Sequence, residues 1–194
     1  NLYDIKQTPK YSMKTLTYHE ATPGHHHQIA HSLENDDLSV YRRFGYGTSA
    51  FSEGWALYAE RLSLEAGLAP DLYDELGILQ SEIFRAVRLV VDTGMHYKKW
   101  TREEAIDYMK GMTGMSDTEC RVEIERYIVW PGQALSYKVG MIKILELREK
   151  AMSALGDRFN IKDFHSAVLD NGNPPLFIVE QMVDEMIAKG LRDN

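Results

Sequence analysis

The sequence predicts a mainly α-helical protein, and three observations carry that expectation. Apolar residues recur at helical spacing through most of the chain, two capping boxes mark helix starts, and the apolar/polar alternation of half-buried strands is scarce. At 194 residues the chain can bury a core as one domain without disulfides or metals to staple it. A net charge of −7 with no Lys/Arg block excludes the electrostatic footprint of a nucleic-acid binder. The single Cys120 excludes an internal disulfide and a cysteine-based zinc site. No run of about 18 apolar residues offers a membrane span. Because the chain opens on Asn1 rather than Met, we expect a piece of a longer protein whose targeting segment lies elsewhere, which leaves compartment and oligomeric state open.

Taken in order, residues 1–12 and 44–51 are the only segments that read as extended. Gly54 to Leu64 spaces Trp55, Leu57, Tyr58 and Leu62 at helical intervals, and Gly67 with Pro70 closes that helix. Residues 71–93 form a second helical run with Leu72, Leu76, Leu79, Ile83, Val87 and Val90 on one stripe. Thr101-Arg-Glu-Glu104 and Ser116-Asp-Thr-Glu119 are capping boxes that open the next two helices. The first runs to Lys110; the second is stopped at Trp130-Pro131-Gly132. Another helix extends from about Gln133 to Lys150, a short one follows Lys162, residues 171–175 form a loop, and the last helix runs from Leu176 to Lys189.

The chemistry concentrates in His19-Glu20-Ala21-Thr22-Pro23-Gly24-His25-His26-His27-Gln28, which holds four of the seven histidines. It reads as a zinc-binding H-E-x-x-H helix whose second histidine has been displaced by an inserted Pro-Gly. A straight helix cannot make this site. At about 100° per residue, i+6 points to the opposite side, and i+7 lies about 10.5 Å away along the axis. Pro23 would clash with the carbonyl of His19, so the helix must bulge or break there. A bulge absorbing two residues returns His25 to the place i+4 normally holds. His25 is therefore the favoured partner of His19, with His26 as the fallback or as a group behind the ligands.

Glu53, ahead of an apolar helix, is the best third ligand and leaves a fourth position for water. Its competing reading is a carboxylate stabilised by the helix dipole. Glu60, two turns on and on the same face, is positioned to orient a ligating imidazole, or else to pair on the surface with Arg61. Glu20, adjacent to His19, is the expected general base. Asp92 and His96 stand at i, i+4, so the carboxylate is expected to fix the imidazole and make His96 an oxyanion donor or substrate binder. Tyr137 is the rival donor. Arg126 is a candidate fork for a substrate carboxylate, and Gln133 a candidate substrate contact.

HEATPGHHHQ followed by SEGWALYAERL resembles the DUF885 family of bacterial proteins, grouped with the gluzincin metallopeptidases. The resemblance continues through Val91-Asp92-Thr93-Gly94-Met95-His96, Arg126 to Gly140, and Leu155-Gly156-Asp157-Arg158-Phe159. It implies a helical zincin-like catalytic portion, residues 1–194 as the C-terminal part of a protein nearly three times as long, and a missing helical N-terminal portion as the other wall of the cleft. The implied activity is zinc-dependent hydrolysis of peptide bonds in short peptides, in the cytoplasm or after export. The rival expectations are an inert peptide- or protein-binding fragment and a zinc amidohydrolase acting on non-peptide amides.

Overall fold

The structure, a computed structural model, describes residues 9–45 and 47–192. Among them the chain is almost entirely helical, with no strand. The helices are α1 (Tyr11–Glu20), α2 (His25–Glu34), α3 (Val40–Phe44), α4 (Ser49–Glu65), α5 (Leu72–His96), α6 (Arg102–Thr113), α7 (Asp117–Val129), α8 (Ser136–Leu155), α9 (Ile161–Leu169) and α10 (Leu176–Arg192). Local chemistry sets many of these boundaries. The carboxylate of Asp71 caps α5 by accepting from the Tyr73 and Asp74 N–H groups. Both capping boxes form reciprocally at the starts of α6 and α7, and Gly114, at φ 68°, ends α6 in the left-handed region.

Two cores share the burial. In one, Phe51, Trp55 and Tyr58 of α4 pack on Met141, Ile144 and Leu147 of α8, closed by α9 and α10. In the other, Val87, Val91 and Met95 of α5 pack on α6 and α7. Helix α1 lies across both α4 and α5 and joins the halves. The α4–α8 contact is the most extensive, and two glycines make it possible. A Cβ on Gly54 would lie 2.4 Å from the Gly140 Cα, and one on Gly140 would lie 1.8 Å from the Ala50 carbonyl oxygen. The two backbones therefore touch directly, and the register of Glu53, next to Gly54, is fixed by that touch.

Three expectations are corrected. Of the extended segments, residues 1–8 lie outside the described residues, whereas Tyr11 already opens α1, Phe44 ends α3 and Ser49 opens α4. The early start of α4 puts Glu53 a full turn inside the helix rather than at its head. The α5 stripe faces outward: Leu72, Leu76, Leu79, Ile83 and Val90 are exposed, and of the six only Val87 is buried. The face that packs instead carries Asp74, Gly77, Ile78, Ser81, Arg88, Asp92 and Gly94. Close approach decides this. A Cβ at Gly77 would fall 2.0 Å from the Tyr11 carbonyl oxygen, and one at Gly94 would fall 2.5 Å from the Trp100 ring. Periodicity identifies an apolar stripe but not what covers it.

Gly140→Ala is expected to lower the unfolding free energy by about 1–3 kcal/mol, because no rotamer relieves a backbone clash; denaturant titration reads the change. A second expectation concerns acid. Burial, together with the nearby Arg148 and His27 charges, pushes His165 from 6.5 down to about 4, and its Nε2 lies 2.8 Å from the Tyr58 hydroxyl. Between those pH values the unfolded chain carries a proton on this residue that the folded chain refuses. Stability from this group is therefore complete above about pH 6.5 and declines as the pH falls to about 4. His165→Gln should flatten that part of the stability–pH curve; an unchanged slope would exclude the assignment.

Candidate metal centre

Helix α1 ends at Glu20, and α2 begins at His25. The link between them is a break rather than the expected two-residue bulge, with a cis Thr22–Pro23 peptide. The break follows from Pro23, which has no N–H to offer and whose ring excludes the His19 carbonyl. Gly24 is needed for space: a Cβ there would lie 1.9 Å from the His19 carbonyl oxygen. The Trp55 indole N–H donates to the Pro23 carbonyl at 2.9 Å, so α4 holds the turn in place.

This turn brings His25 back beside His19, with ring centroids 4.7 Å apart and planes at 89°. Glu53 of α4 meets both. Its Oε2 stands 3.2 Å from His25 Nε2 and 3.6 Å from His19 Nε2. His19, His25 and Glu53 each offer one ligand atom within 4.8 Å of the others. Two atoms each about 2.1 Å from a tetrahedral ion stand about 3.4 Å apart, so both separations suit a shared ion. Glu53 Oε2 is sealed from water and makes no hydrogen bond of good geometry; its polar neighbours are the two imidazole nitrogens, an arrangement that a shared cation would satisfy. A neutral His/His/carboxylate set with a free fourth position is what a zinc-type ion takes.

Behind the cluster, Glu60 is 1% exposed. Its Oε1 lies 2.7 Å from His19 Nδ1, and its Oε2 accepts from the Thr15 hydroxyl at 2.6 Å. The carboxylate thus holds the Nδ1 proton and leaves Nε2 facing Glu53. Burial opposes the charge on Glu60, but the His19 hydrogen bond and the Arg85 charge keep its pKa low. Burial alone would depress His19; Glu53 and Glu60 reverse this and raise it. Glu53 is held near 2, because the imidazoles outweigh its burial.

The other sequence candidates scatter. Glu20, last in α1, is exposed and makes no hydrogen bond or ion pair among the described residues. Tyr137 is brought in: its ring stacks on His19 with centroids 6.2 Å apart. His26 is exposed in the first turn of α2 and has no part in the cluster. The expected Asp92–His96 pair is corrected. Asp92 accepts from the Gly132 N–H at 3.0 Å, pinning a residue at φ 84°, and His96 bonds the Tyr127 carbonyl at 3.0 Å. Arg126 is likewise corrected from a fork to an exposed partner of Glu123 at 3.7 Å. Gln133 accepts from Arg88 at 3.3 Å. Thr15 and the arginines of α5 were missed. Only a threonine one turn before His19, and cations inside an apolar run, hinted at them.

Fold and cluster together define an all-helical candidate metalloprotein with a two-histidine, one-glutamate centre assembled from three helices. The chain belongs to the family described as "Bacterial protein of unknown function (DUF885)", which it matches over residues 1–183. It is similar to the crystal structure of a "putative lipoprotein" from Colwellia psychrerythraea, with 52% identity and a TM-score of 0.93 over 97% of this chain and 32% of that one. It is also similar to a "putative lipoprotein of unknown function" from Shewanella oneidensis, with 28% identity and a TM-score of 0.84 over 91% of this chain and 32% of that one. The chain thus spans about a third of the length of both solved proteins. No curated protein sequence matches it.

Glu60→Gln leaves shape nearly intact but removes the negative charge behind His19 and one of the two acceptor oxygens shared by His19 and Thr15. The expected result is a 10- to 100-fold loss of affinity for zinc in chelator-buffered titration. An unchanged affinity would separate Glu60 from the site.

Proposed function

We propose that this chain is the catalytic portion of a zinc-dependent peptidase of gluzincin type, hydrolysing peptide bonds in short peptides. The observation that carries the reading is the convergence of His19, His25 and Glu53, with the Glu53 Oε2 sealed from water between the two imidazole nitrogens. Those three residues would hold the ion. When bound, zinc supplies a Lewis acid that lowers the pKa of a water and polarises a carbonyl. The rest falls to the chain's own groups. Glu60 keeps the His19 proton on Nδ1. Glu20, next to His19 in the chain and without a hydrogen bond or ion pair among the described residues, takes the proton from the attacking water and delivers it to the leaving amine. Tyr137, stacked on His19, donates to the developing oxyanion, a role for which His96 is already engaged elsewhere.

The exposed α5 stripe and the length of the solved relatives support a further part of this reading: the remainder of the protein packs on that stripe as the second wall of the cleft. Their description as lipoproteins supports export and anchoring through a lipid, consistent with the absence, among the described residues, of a helix long and apolar enough to cross a membrane.

The test is metal content and turnover in the full-length protein. Zinc should bind at one equivalent, and Glu20→Gln should abolish peptide hydrolysis while retaining the metal. Protein purified without chelator that holds no zinc, or a Glu20→Gln variant that keeps its rate, would sink the proposal. Activity confined to non-peptide amides would favour the amidohydrolase alternative.

A further inference from the structure

Arginines in this protein normally meet carboxylates: Arg61, Arg102, Arg121 and Arg148 each form an ion pair. Arg85 and Arg88, one turn apart on α5, form none among the described residues. Arg88 is 2% exposed, and its one hydrogen bond is to the Gln133 side chain at 3.3 Å. Arg85 donates to the Ser81 hydroxyl at 2.8 Å. The Nε of each is sealed from water without an acceptor. Arg88 is a buried guanidinium with no anion in contact, and Arg85, half-buried, has nearby only the charge of Glu60, whose oxygens are already engaged by His19 and Thr15, so neither cation is fully compensated.

Aromatic rings supply part of that compensation. Arg88 sits 4.2 Å from the Tyr137 ring centroid and 5.1 Å from that of Tyr127. Arg85 sits 5.1 Å from Phe84 and 5.7 Å from Tyr137. Rings stabilise a cation without neutralising it, and they leave the donor fork free. Tyr137 is also the ring stacked on His19. The unneutralised charge thus stands one aromatic ring away from the candidate metal centre.

A cavity of about 590 Å³ opens beside Arg85, on the Glu60 side of His19, bounded by Leu16, Glu60, Gln80, Phe84, Arg85 and Met115 among others. That is the size of a site for a small ligand. Among the described residues, Arg85 is the one cation in its lining. The carboxylates there are already committed, Glu60 to His19 and Thr15, and Glu119 to its own capping box. The chamber therefore offers a guanidinium with Nη1 bonded to Ser81 and Nη2 without an acceptor among the described residues, on a partly apolar wall.

We propose that this cavity is a carboxylate-binding subsite, with Arg85 as the anchor for a carboxylate of a short peptide and Arg88 behind it holding Tyr137 and adding positive potential. The proposal rests on the hydrolase reading and deepens it by naming the substrate class, a short peptide presenting a carboxylate. It gives Arg85 the role that the sequence assigned to Arg126. The carboxylate can come from a free C-terminus or from an acidic side chain, and the test separates the two.

The experiment is calorimetric titration of full-length, chelator-stripped protein, so that coordination to a metal cannot produce the signal. The probes are N-acetyl-trialanine, its C-terminal amide, and an N-acetyl-peptide amide carrying one internal glutamate. The acid is expected to bind about tenfold or more tightly than the amide, the span of a charge-assisted hydrogen-bonded pair. Arg85→Gln should erase that preference and Arg85→Lys most of it, while His25→Ala should leave it intact. Preference for the glutamate peptide alone assigns the carboxylate to a side chain and upholds the subsite. Equal binding of acid and amide, the result if a carboxylate from the rest of the protein already fills the fork, overturns it. So does a preference that survives Arg85→Gln and Arg85→Lys. Carboxylate preference in a protein that cleaves no peptide with zinc would sink only the hydrolase reading; zinc-dependent cleavage without the preference would sink only this one.

Discussion

Glu60 sits in the middle of α4 with 1% of its surface exposed, and a carboxylate so placed destabilises the fold unless donors reach both oxygens. Both donors come from α1: the Thr15 hydroxyl and the His19 ring, one turn apart on the same face. Satisfying one buried charge therefore docks α1 on α4 and sets the rotation of α1 about its own axis. It also selects the His19 tautomer, because Nδ1 must carry the proton and Nε2 is left to face Glu53. The position of Glu53 is set in turn by the backbone contact of Gly54 with Gly140 on α8. Two constraints, one electrostatic and one steric, thus converge on the same pair of residues.

The break between α1 and α2 belongs to this arrangement. A histidine displaced by two residues cannot return on a continuous helix, and Pro23 with Gly24 ends α1 where the return has to begin. The close packing of Gly24 under the His19 carbonyl and the indole bond from Trp55 to Pro23 make the turn a packed element of the site. Trp55 stands two residues after Glu53, so the helix that brings the third carboxylate also fastens the turn that brings the second histidine.

Much of this was legible in the sequence because it is local. Capping boxes are recognised within four residues, a proline disrupts its own turn, and Glu53 and Glu60 share a face by helical arithmetic. What escaped depends on contacts between distant segments. The outward stripe of α5 looked like core because its apolar residues recur at the right interval. Gly77 and Gly94, which admit Tyr11 and Trp100, instead turn the opposite face inward. Asp92 and His96 had the spacing of a pair, yet each found a partner across the fold that spacing cannot reveal, the Gly132 N–H and the Tyr127 carbonyl. Arg126 was expected as a fork for a substrate carboxylate, yet it stands beside Glu123, whereas Arg85 and Arg88 on α5 form no ion pair among the described residues.

Helix α5 accordingly does two different things with its two sides. The inward side is unusually polar for a packed helix, with Asp74, Ser81, Arg88 and Asp92 all buried, and each of these carries a specific bond rather than bulk. The outward side carries the large apolar residues that a solvated surface would not favour in a row. Val87, Val91 and Met95 still pack inward, so the outward stripe makes α5 apolar on two sides, the pattern of a helix covered on both. The solved relatives, of which this chain spans about a third, have the additional length for that. Under the proposed reading, a helix buried on both sides is also the element best suited to hold Arg85 and Arg88 without carboxylates. Their neighbours on every side would be packed, and the open direction would be the cavity that Arg85 and Glu60 line.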